Sequence, residues 1–302
     1  METPLSIVIT TFNRRKLLER CLNSIQAQDY KNYEIIVIDD CSKPSYKEEI
    51  LSDFPEIIYM YQEKNMGPGP ARNKGIRKAK NNYVVIMDDD DIFKPNAFRQ
   101  INSFLINNEY KYFPVYNFLC SNSQIKYDDY YRVYSFAELI DNTISGDLLH
   151  LISKQNFLDN HQYTYPDSRI GAESLLWYEI AINKGFPIIN ITNVIVSEDA
   201  VDRLTNINRQ VKYSSEFAEY QINIIEQFKD EIIKTNNIEF LLKKYLGAVT
   251  YLLISGQKMK ALKYWNEMLS YSKKYTILFP LFFIPRKNII RLFFTYRKKR
   301  NA

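Results

Sequence analysis

Apolar runs alternate with segments of helical periodicity through the first third of the chain. LSIVIT (Leu5 to Thr10) is almost continuously apolar and reads as a buried strand. RKLLERCLNSIQAQ (Arg15 to Gln28) places Leu17, Leu18, Cys21, Leu22 and Ile25 at helical spacing, with Asn13 able to cap its start. YEIIVIDD (Tyr33 to Asp40) reads as a second strand, KEEILSDF as a short helix and IIYMYQ (Ile57 to Gln62) as a third strand. GPGPARNKGIRKAK (Gly67 to Lys80) runs from a stiff turn into a helix, and VVIMDDDD (Val84 to Asp91) is a strand that empties into four carboxylates. Alternating strands and helices, with strands apolar on both faces, predict parallel pairing in an open α/β sheet. Ligands bind such sheets outside the carboxyl ends of the strands, and Asp39, Asp40 and Asp88 to Asp91 all fall at such ends.

The pattern is less regular further on. Tyr110 to Tyr134 is crowded with Tyr and Phe and predicts further strands, FAELIDN (Phe136 to Asn142) a short helix, and GAESLLWYEIAINKG (Gly171 to Gly185) a helix closed by Gly185 with Glu173 at its start. From Tyr213 onward the chain reads as a small helical bundle in which Gly256 closes a hairpin. The expected layout is therefore a catalytic domain over residues 1–212, in two halves 1–110 and 111–212, and a helical C-terminal region over 213–302. The final piece, TILFPLFFIPRKNIIRLFFTYRKKR, is too short and too interrupted by Pro280 and Pro285 to span a bilayer.

Composition sharpens this layout. The 302 residues are 46% hydrophobic and 25% charged, which is a globular composition. Of the 40 Lys and Arg, nine fall between Lys273 and Ala302, where no Asp or Glu occurs, so residues 1–272 carry 31 basic against 35 acidic side chains. A mildly acidic body argues against a nucleic-acid partner. The basic tail, with Phe279, Phe282, Phe283, Phe293 and Phe294, suits an interfacial anchor on an anionic membrane face, although a helix packed on the domain would also account for it. Three unpaired cysteines and an N-terminus without the features of a signal peptide point to the cytoplasm, peripheral on the inner face of the cytoplasmic membrane.

Four adjacent aspartates repel one another unless a cation sits among them. Mg²⁺ and Mn²⁺ take carboxylate oxygens and keep open positions for substrate phosphates, so this acidic strand end suggests a metal-diphosphate site. Taken alone, the run could equally be a solvated turn that caps the next helix.

Four segments in order, TTFNR (Thr10 to Arg14), VIDD (Val37 to Asp40), NMGPGPARNKGI (Asn65 to Ile76) and IMDDDD (Ile86 to Asp91), resemble the nucleotide-sugar domain of family 2 glycosyltransferases, which have the GT-A fold. The resemblance implies that Thr11, Phe12 and Asp40 hold uracil and ribose and that Arg72 lies by the nucleotide. It further implies that Asp88 stands near the nucleoside and that Asp90 binds the Mn²⁺ or Mg²⁺ bridging the diphosphate, with Asp89 or Asp91 able to share that work. Glu173 corresponds to the general base, with Trp177 packing nearby. No His follows the next strand, where many relatives place one, so Arg203 or Arg209 becomes the candidate for the phosphates. His150 falls where the family lines the acceptor or donor-sugar pocket, and a structural role fits it as well.

The expected activity is that of an inverting, metal-dependent hexosyltransferase using a UDP-sugar, first UDP-glucose, on a lipid-linked or membrane-proximal glycan. The layout is similar to branch-adding glucosyltransferases of bacterial lipid-linked oligosaccharide assembly. A capsule, lipopolysaccharide or O-antigen transferase using UDP-galactose or a UDP-N-acetylhexosamine is the near alternative, and a non-catalytic sugar-nucleotide or glycan-binding module the alternative of another class.

Overall fold

The computed structural model describes residues 2–107, 112–141, 143–197 and 206–300. The chain divides into two compact units, Met1–Ala200 and Val201–Ala302.

In the first unit, β1 (Leu5–Thr11), α1 (Arg15–Gln26), β2 (Tyr33–Asp39), α2 (Lys47–Asp53), β3 (Ile58–Tyr61), α3 (Pro68–Lys78) and β4 (Tyr83–Asp88) follow the predicted alternation. They pair in parallel in the order β3-β2-β1-β4. Then come β5 (Ile92–Phe93), α4 (Ala97–Asn107), β6 (Val115–Cys120), β7 (Gln124–Ile125), β8 (Tyr131–Tyr134), α5 (Phe136–Ile140), β9 (Ile144–Ser145), β10 (Leu148–Ser153), α6 (Ser174–Asn183) and β11 (Phe186–Ile195). β10 is antiparallel to both β4 and β6, β11 runs parallel to β6, and β5 and β8 pair antiparallel with β11. The sheet is thus parallel in its first half and mixed in its second.

Strand alternation gives the two faces different work. Ile7, Ile9, Val85, Met87, Leu151, Tyr116, Phe118 and Ile189 belong to one large buried cluster. Their neighbours Val8, Ile86, His150, Asn117 and Ile188 lie in register across the other face. Here α3 approaches closely: a Cβ at Gly75 would stand 2.3 Å from Cγ1 of Val8, so only glycine permits the contact.

One expected cap is corrected. Asn13 sits in the left-handed region (φ 56°), and its side chain accepts from the Lys43 amide at 2.8 Å, while Arg14 takes the N-cap position of α1 with no side-chain cap bond. The short Asn side chain tolerates that backbone and ties the β1 turn to the β2 turn instead.

The second unit contains α7 (Ile207–Lys212), α8 (Ser214–Lys234), α9 (Ile238–Ser255), α10 (Lys258–Tyr271), a 3₁₀ helix over Lys273–Phe283 and α11 (Arg286–Arg300). Gly256 ends α9 at φ 89°, the left-handed stop expected of it. The Phe-rich tail differs from expectation. Phe279 stacks on Trp265 with ring centroids 5.5 Å apart, Phe293 meets Tyr251 edge-on, and only Phe279 and Phe283 of the five phenylalanines are exposed. Ile277 (80% exposed), Leu292 and Tyr296 add to Phe283 (73%) and Phe279 in the exposed apolar surface of this segment. Among the described residues no helix is long and apolar enough to cross a membrane.

Candidate active site

The carboxyl ends of β1 and β2 form the first wall. Thr11 is buried, with its hydroxyl 2.8 Å from that of Tyr46, which is also bonded to Ser42. Phe12 is exposed beside it. Asp39 is fully buried and accepts from the Tyr59 hydroxyl at 2.6 Å and the Ser42 amide at 2.8 Å. Asp40 points the other way. Its Oδ1 accepts from Gln62 Nε2 and the Met66 amide, and its Oδ2 from the Gly67 amide at 2.7 Å. Burial pushes the Asp40 pKa up, and these donors hold it back.

That carboxylate organises the Gly-rich turn. Gly67 has φ 94°, and a Cβ on Gly69 would lie 2.1 Å from the Pro166 carbonyl, so the turn packs flush against the loop that precedes α6. Asn73 clasps the same loop, donating to the Tyr165 carbonyl at 2.8 Å and accepting from the Tyr165 amide at 2.9 Å. Between turn and clasp stands Arg72, buried, its guanidinium over the Tyr165 ring at 5.4 Å. One guanidinium nitrogen bonds Asp88 at 2.7 Å, and the other bonds Glu173. Burial opposes the Arg72 charge, but Glu173 and Asp88 outweigh it and raise its pKa further. Partial desolvation likewise works against the Asp88 anion, and Arg72 overcomes it, so Asp88 titrates below the ordinary range.

The four aspartates diverge. The side chain of Asp88 is half exposed at the rim. Asp89 turns inward to Arg14 at 3.1 Å, and burial pushes its pKa up to about 7. Asp90 meets the same Arg14 at 3.1 Å, while Arg20 donates to its backbone carbonyl at 2.7 Å. Asp91 accepts from the Ser197 amide at 3.1 Å, and burial raises it also to about 7. Asp89, expected to contact the donor, is thus enclosed against Arg14. Arg14 stood out in the sequence only as the last residue of TTFNR and Arg20 not at all, and neither was tied to the acidic run.

The opposite wall is the start of α6. Gly171 (φ 89°) and Ala172 (φ 60°) turn the chain so that Glu173 sits at the N-cap position, its side chain partly exposed, with no cap bond of its own. One turn on, Trp177 lies over His150 at 4.3 Å between ring centroids and meets Tyr165 edge-on at 5.5 Å. His150 Nδ1 is 2.7 Å from Asn117 Oδ1, and burial pushes the His150 pKa down to about 3. The fold therefore brings Arg72, Asp88, Glu173, Trp177 and His150 together. Arg203 lies outside the described residues. Arg209 is described and stands over the Tyr213 ring at 5.5 Å in the second unit.

Among the described residues no three His, Cys, Asp or Glu side chains converge as a metal cage. The donor set nevertheless fits Mg²⁺ or Mn²⁺, which are commonly held by one or two carboxylates and completed by substrate phosphates. Asp88, half exposed at the rim, and Asp90, more enclosed and paired with Arg14, carry such oxygens.

The sequence model described as glycosyl transferase family 2 matches residues 6–159, about half of the chain. The chain belongs to glycosyl transferase family 2. This family 2 glycosyltransferase is 30% identical over 166 residues to an Escherichia coli glycosyl transferase assigned to colanic acid biosynthesis, a match covering 53% of this chain and 56% of that protein. It is 41% identical over 91 residues to the GalNAc(5)-diNAcBac-PP-undecaprenol beta-1,3-glucosyltransferase of Campylobacter jejuni, 29% of each chain. The matches thus span just over half of the first relative's length and less than a third of the second's. Among solved structures, S. aureus TarS with UDP-GlcNAc superimposes with a TM-score of 0.60 at 13% identity, covering 90% of this chain and 92% of that one. The mannosyltransferase PcManGT of Pyrobaculum calidifontis, solved with GDP-Man and Mn²⁺, gives 0.55 at 16% identity, with 97% and 87% covered. At such identities the likeness is one of fold, and it is the expected GT-A fold with a helical C-terminal region.

Proposed function

We propose that this glycosyltransferase inverts the configuration of a hexose that it moves from a UDP-sugar, first UDP-glucose, to a lipid-linked glycan. The observation that carries this reading is Arg72, whose one guanidinium binds both the acidic strand end and the carboxylate of α6. Two carboxylates on opposite walls, one on the leaving-group side and one facing across the cleft, suit a displacement in which a base takes the acceptor proton while the nucleoside diphosphate departs.

In this reading the nucleoside lies along Thr11, Phe12 and the Asp40-anchored turn, near Asp88, and Asp90 would hold the divalent metal. When bound, that ion neutralises charge developing on the departing diphosphate. Glu173 accepts the proton of the acceptor hydroxyl, whose oxygen bonds to the anomeric carbon as the bond from that carbon to the diphosphate oxygen breaks. Arg72 binds the Glu173 carboxylate at the start of α6. The Campylobacter relative's name supports a lipid-linked acceptor and glucose, and the E. coli relative's name favours the second reading, a transferase of secreted polysaccharide. A membrane surface is the natural partner for the exposed Ile277, Phe283, Leu292 and Tyr296 beside the basic tail, with the enzyme on the inner face of the cytoplasmic membrane.

The test is UDP release from UDP-glucose, UDP-galactose and UDP-N-acetylglucosamine with Mn²⁺, in the presence of extracted lipid-linked oligosaccharide. Acceptor-dependent release from at least one donor is expected. Binding of these donors without any turnover would favour the non-catalytic module, and no binding of any would refute the reading.

A further inference from the structure

A second hollow lies beside β8 and has no part in the steps above. Among the described residues it is a cavity of about 460 Å³ lined by Tyr112, Asp129, Tyr131, Arg132 and Val133. That size falls within the roughly 300–1,000 Å³ common for sites that take a small molecule. Among the described strands β8 pairs with β11 alone, so the way from it to the acidic strand end crosses β11, β6 and β10 before reaching β4. Four strand spacings amount to about 19 Å, which sets this hollow apart from the cleft of Arg72, Asp88 and Glu173. Val133 also stands opposite Pro187, at the start of β11, whereas Asp88 ends β4.

Two rings make up the apolar part of the lining. Tyr112 is exposed and leans on the buried Phe113, with ring centroids 4.6 Å apart, and Tyr131 packs on the buried Phe104 at 6.1 Å. Beside them stand one cation and one anion. Arg132 lies over the Tyr127 ring at 3.9 Å and bonds Glu138 at 2.8 Å, two contacts that fix its guanidinium. Its other terminal nitrogen is 3.5 Å from the exposed carboxylate of Asp129. Two carboxylates against one guanidinium leave no net positive charge, so the hollow is ill suited to a phosphate or an acidic polymer. It offers instead a stacking face next to N–H donors and carboxylate acceptors. A hydroxyl both donates and accepts, and a sugar ring sets several hydroxyls around a C–H face that packs on the negative face of an aromatic ring.

We propose that this hollow is a second, non-catalytic glycan site that takes a neutral sugar unit, with Tyr112 against the C–H face and Asp129 and Arg132 bonding the hydroxyls. The inference stands on the residues of the hollow and goes beyond the reading of the cleft. A sugar held here is too far from Asp88 to be the one transferred, so the occupant is part of a longer glycan. For a transferase that works on glycans the consequence is a raised local concentration: a chain tethered at this site meets the cleft more often than a free one, and a short acceptor gains nothing.

The experiment titrates the full-length protein with trisaccharides of glucose, of galactose and of N-acetylglucosamine, and measures UDP affinity in parallel with Mn²⁺ present. At least one trisaccharide should bind the wild type. Tyr112→Ala should weaken that binding about tenfold, and Asp129→Asn, which keeps the shape and removes the charge, about threefold. Tyr112→Phe keeps the stacking face and should bind nearly as the wild type does, a rescue that a general loss of structure would not give. UDP affinity should be the same in all four proteins, because neither residue belongs to the cleft. Failure of every trisaccharide to bind the wild type, undiminished binding to Tyr112→Ala, or displacement of the saccharide by inorganic phosphate would overturn the proposal. The two readings fail separately. UDP binding without saccharide binding removes this site alone, and Tyr112-dependent saccharide binding without UDP binding removes the donor reading and leaves the site standing.

Discussion

Replacing Arg72 by Met removes a buried cation from between two carboxylates while keeping most of the apolar stem. Two costs follow from the geometry. The bonds to Asp88 (2.7 Å) and Glu173 are charge-assisted, a class worth roughly 1.5–3 kcal/mol each where the partners are enclosed. The freed carboxylates then repel each other, by about 3 kcal/mol for unit charges about 5 Å apart at an effective dielectric near 20. Both are partly exposed, so water reclaims much of this, and the net loss should be about 2–4 kcal/mol. That is a large share of the roughly 5–15 kcal/mol typical of a whole domain. The chain has two tryptophans, Trp177 beside the site and Trp265 in the helical unit, so denaturant unfolding read by fluorescence in a Trp265→Phe background reports the first unit alone. The decisive measurement is the double-mutant cycle with Glu173→Gln. A neutral Gln no longer needs the cation, and the cost of losing Arg72 should fall by about 1–2 kcal/mol in that background. A loss below about 0.5 kcal/mol for Arg72→Met, or strict additivity of the two changes, would refute the argument that one guanidinium holds the two walls together.

Further outcomes are expected from other sites. Glu173→Gln should lower kcat by roughly 10²- to 10⁴-fold with UDP affinity nearly unchanged, and a wild-type rate would place the base elsewhere. Asp90→Ala should abolish the difference in UDP affinity with and without Mn²⁺, as read by calorimetry; a persisting difference would remove Asp90 from the metal site. Lys244, enclosed between Phe240 and Tyr220, has its pKa lowered by burial to about 8, so the folded state binds its proton less tightly than the unfolded chain. The penalty is full below pH 8 and shrinks as pH rises toward the unfolded value near 10.4. Lys244→Met should therefore stabilise the protein by about 1–3 kcal/mol at pH 7 and lose that advantage above about pH 10; a pH-independent difference would speak against it. Ile277→Ser with Phe283→Ser should release the protein from anionic vesicles in co-sedimentation with little change in melting temperature, and unchanged sedimentation would move the membrane contact to another surface.

The parallel half of the sheet was legible because each strand is a compact apolar run and each helix has a complete stripe, as in Leu18, Cys21, Leu22 and Ile25. Nothing local told that β10 would insert antiparallel between β4 and β6, because strand order is decided by which faces pack and not by periodicity. The same holds for the site. Arg72 was visible as one cation in a Gly-rich motif, but its partner Glu173 is 101 residues away, and no spacing rule reaches so far. Asn13 looked like a helix cap because Asn commonly is one; the left-handed turn at the end of β1 used its side chain first. In the tail, composition counted five phenylalanines, but Trp265 and Tyr251 turn some of them into internal packing and leave Ile277 outermost.

The carboxylate of Asp40 is engaged by the chain itself, through the Gln62 side chain and the Met66 and Gly67 amides. Each of its oxygens is already bonded to the turn that launches α3, and α3 delivers Arg72 to the cleft. Any search for variants that accept a different nucleoside at this wall therefore starts under a constraint: a change at Asp40 loosens the turn before it can alter what the turn recognises. Laboratory evolution toward a new donor should leave Asp40 fixed and accumulate its changes at Phe12, which is exposed at the same wall.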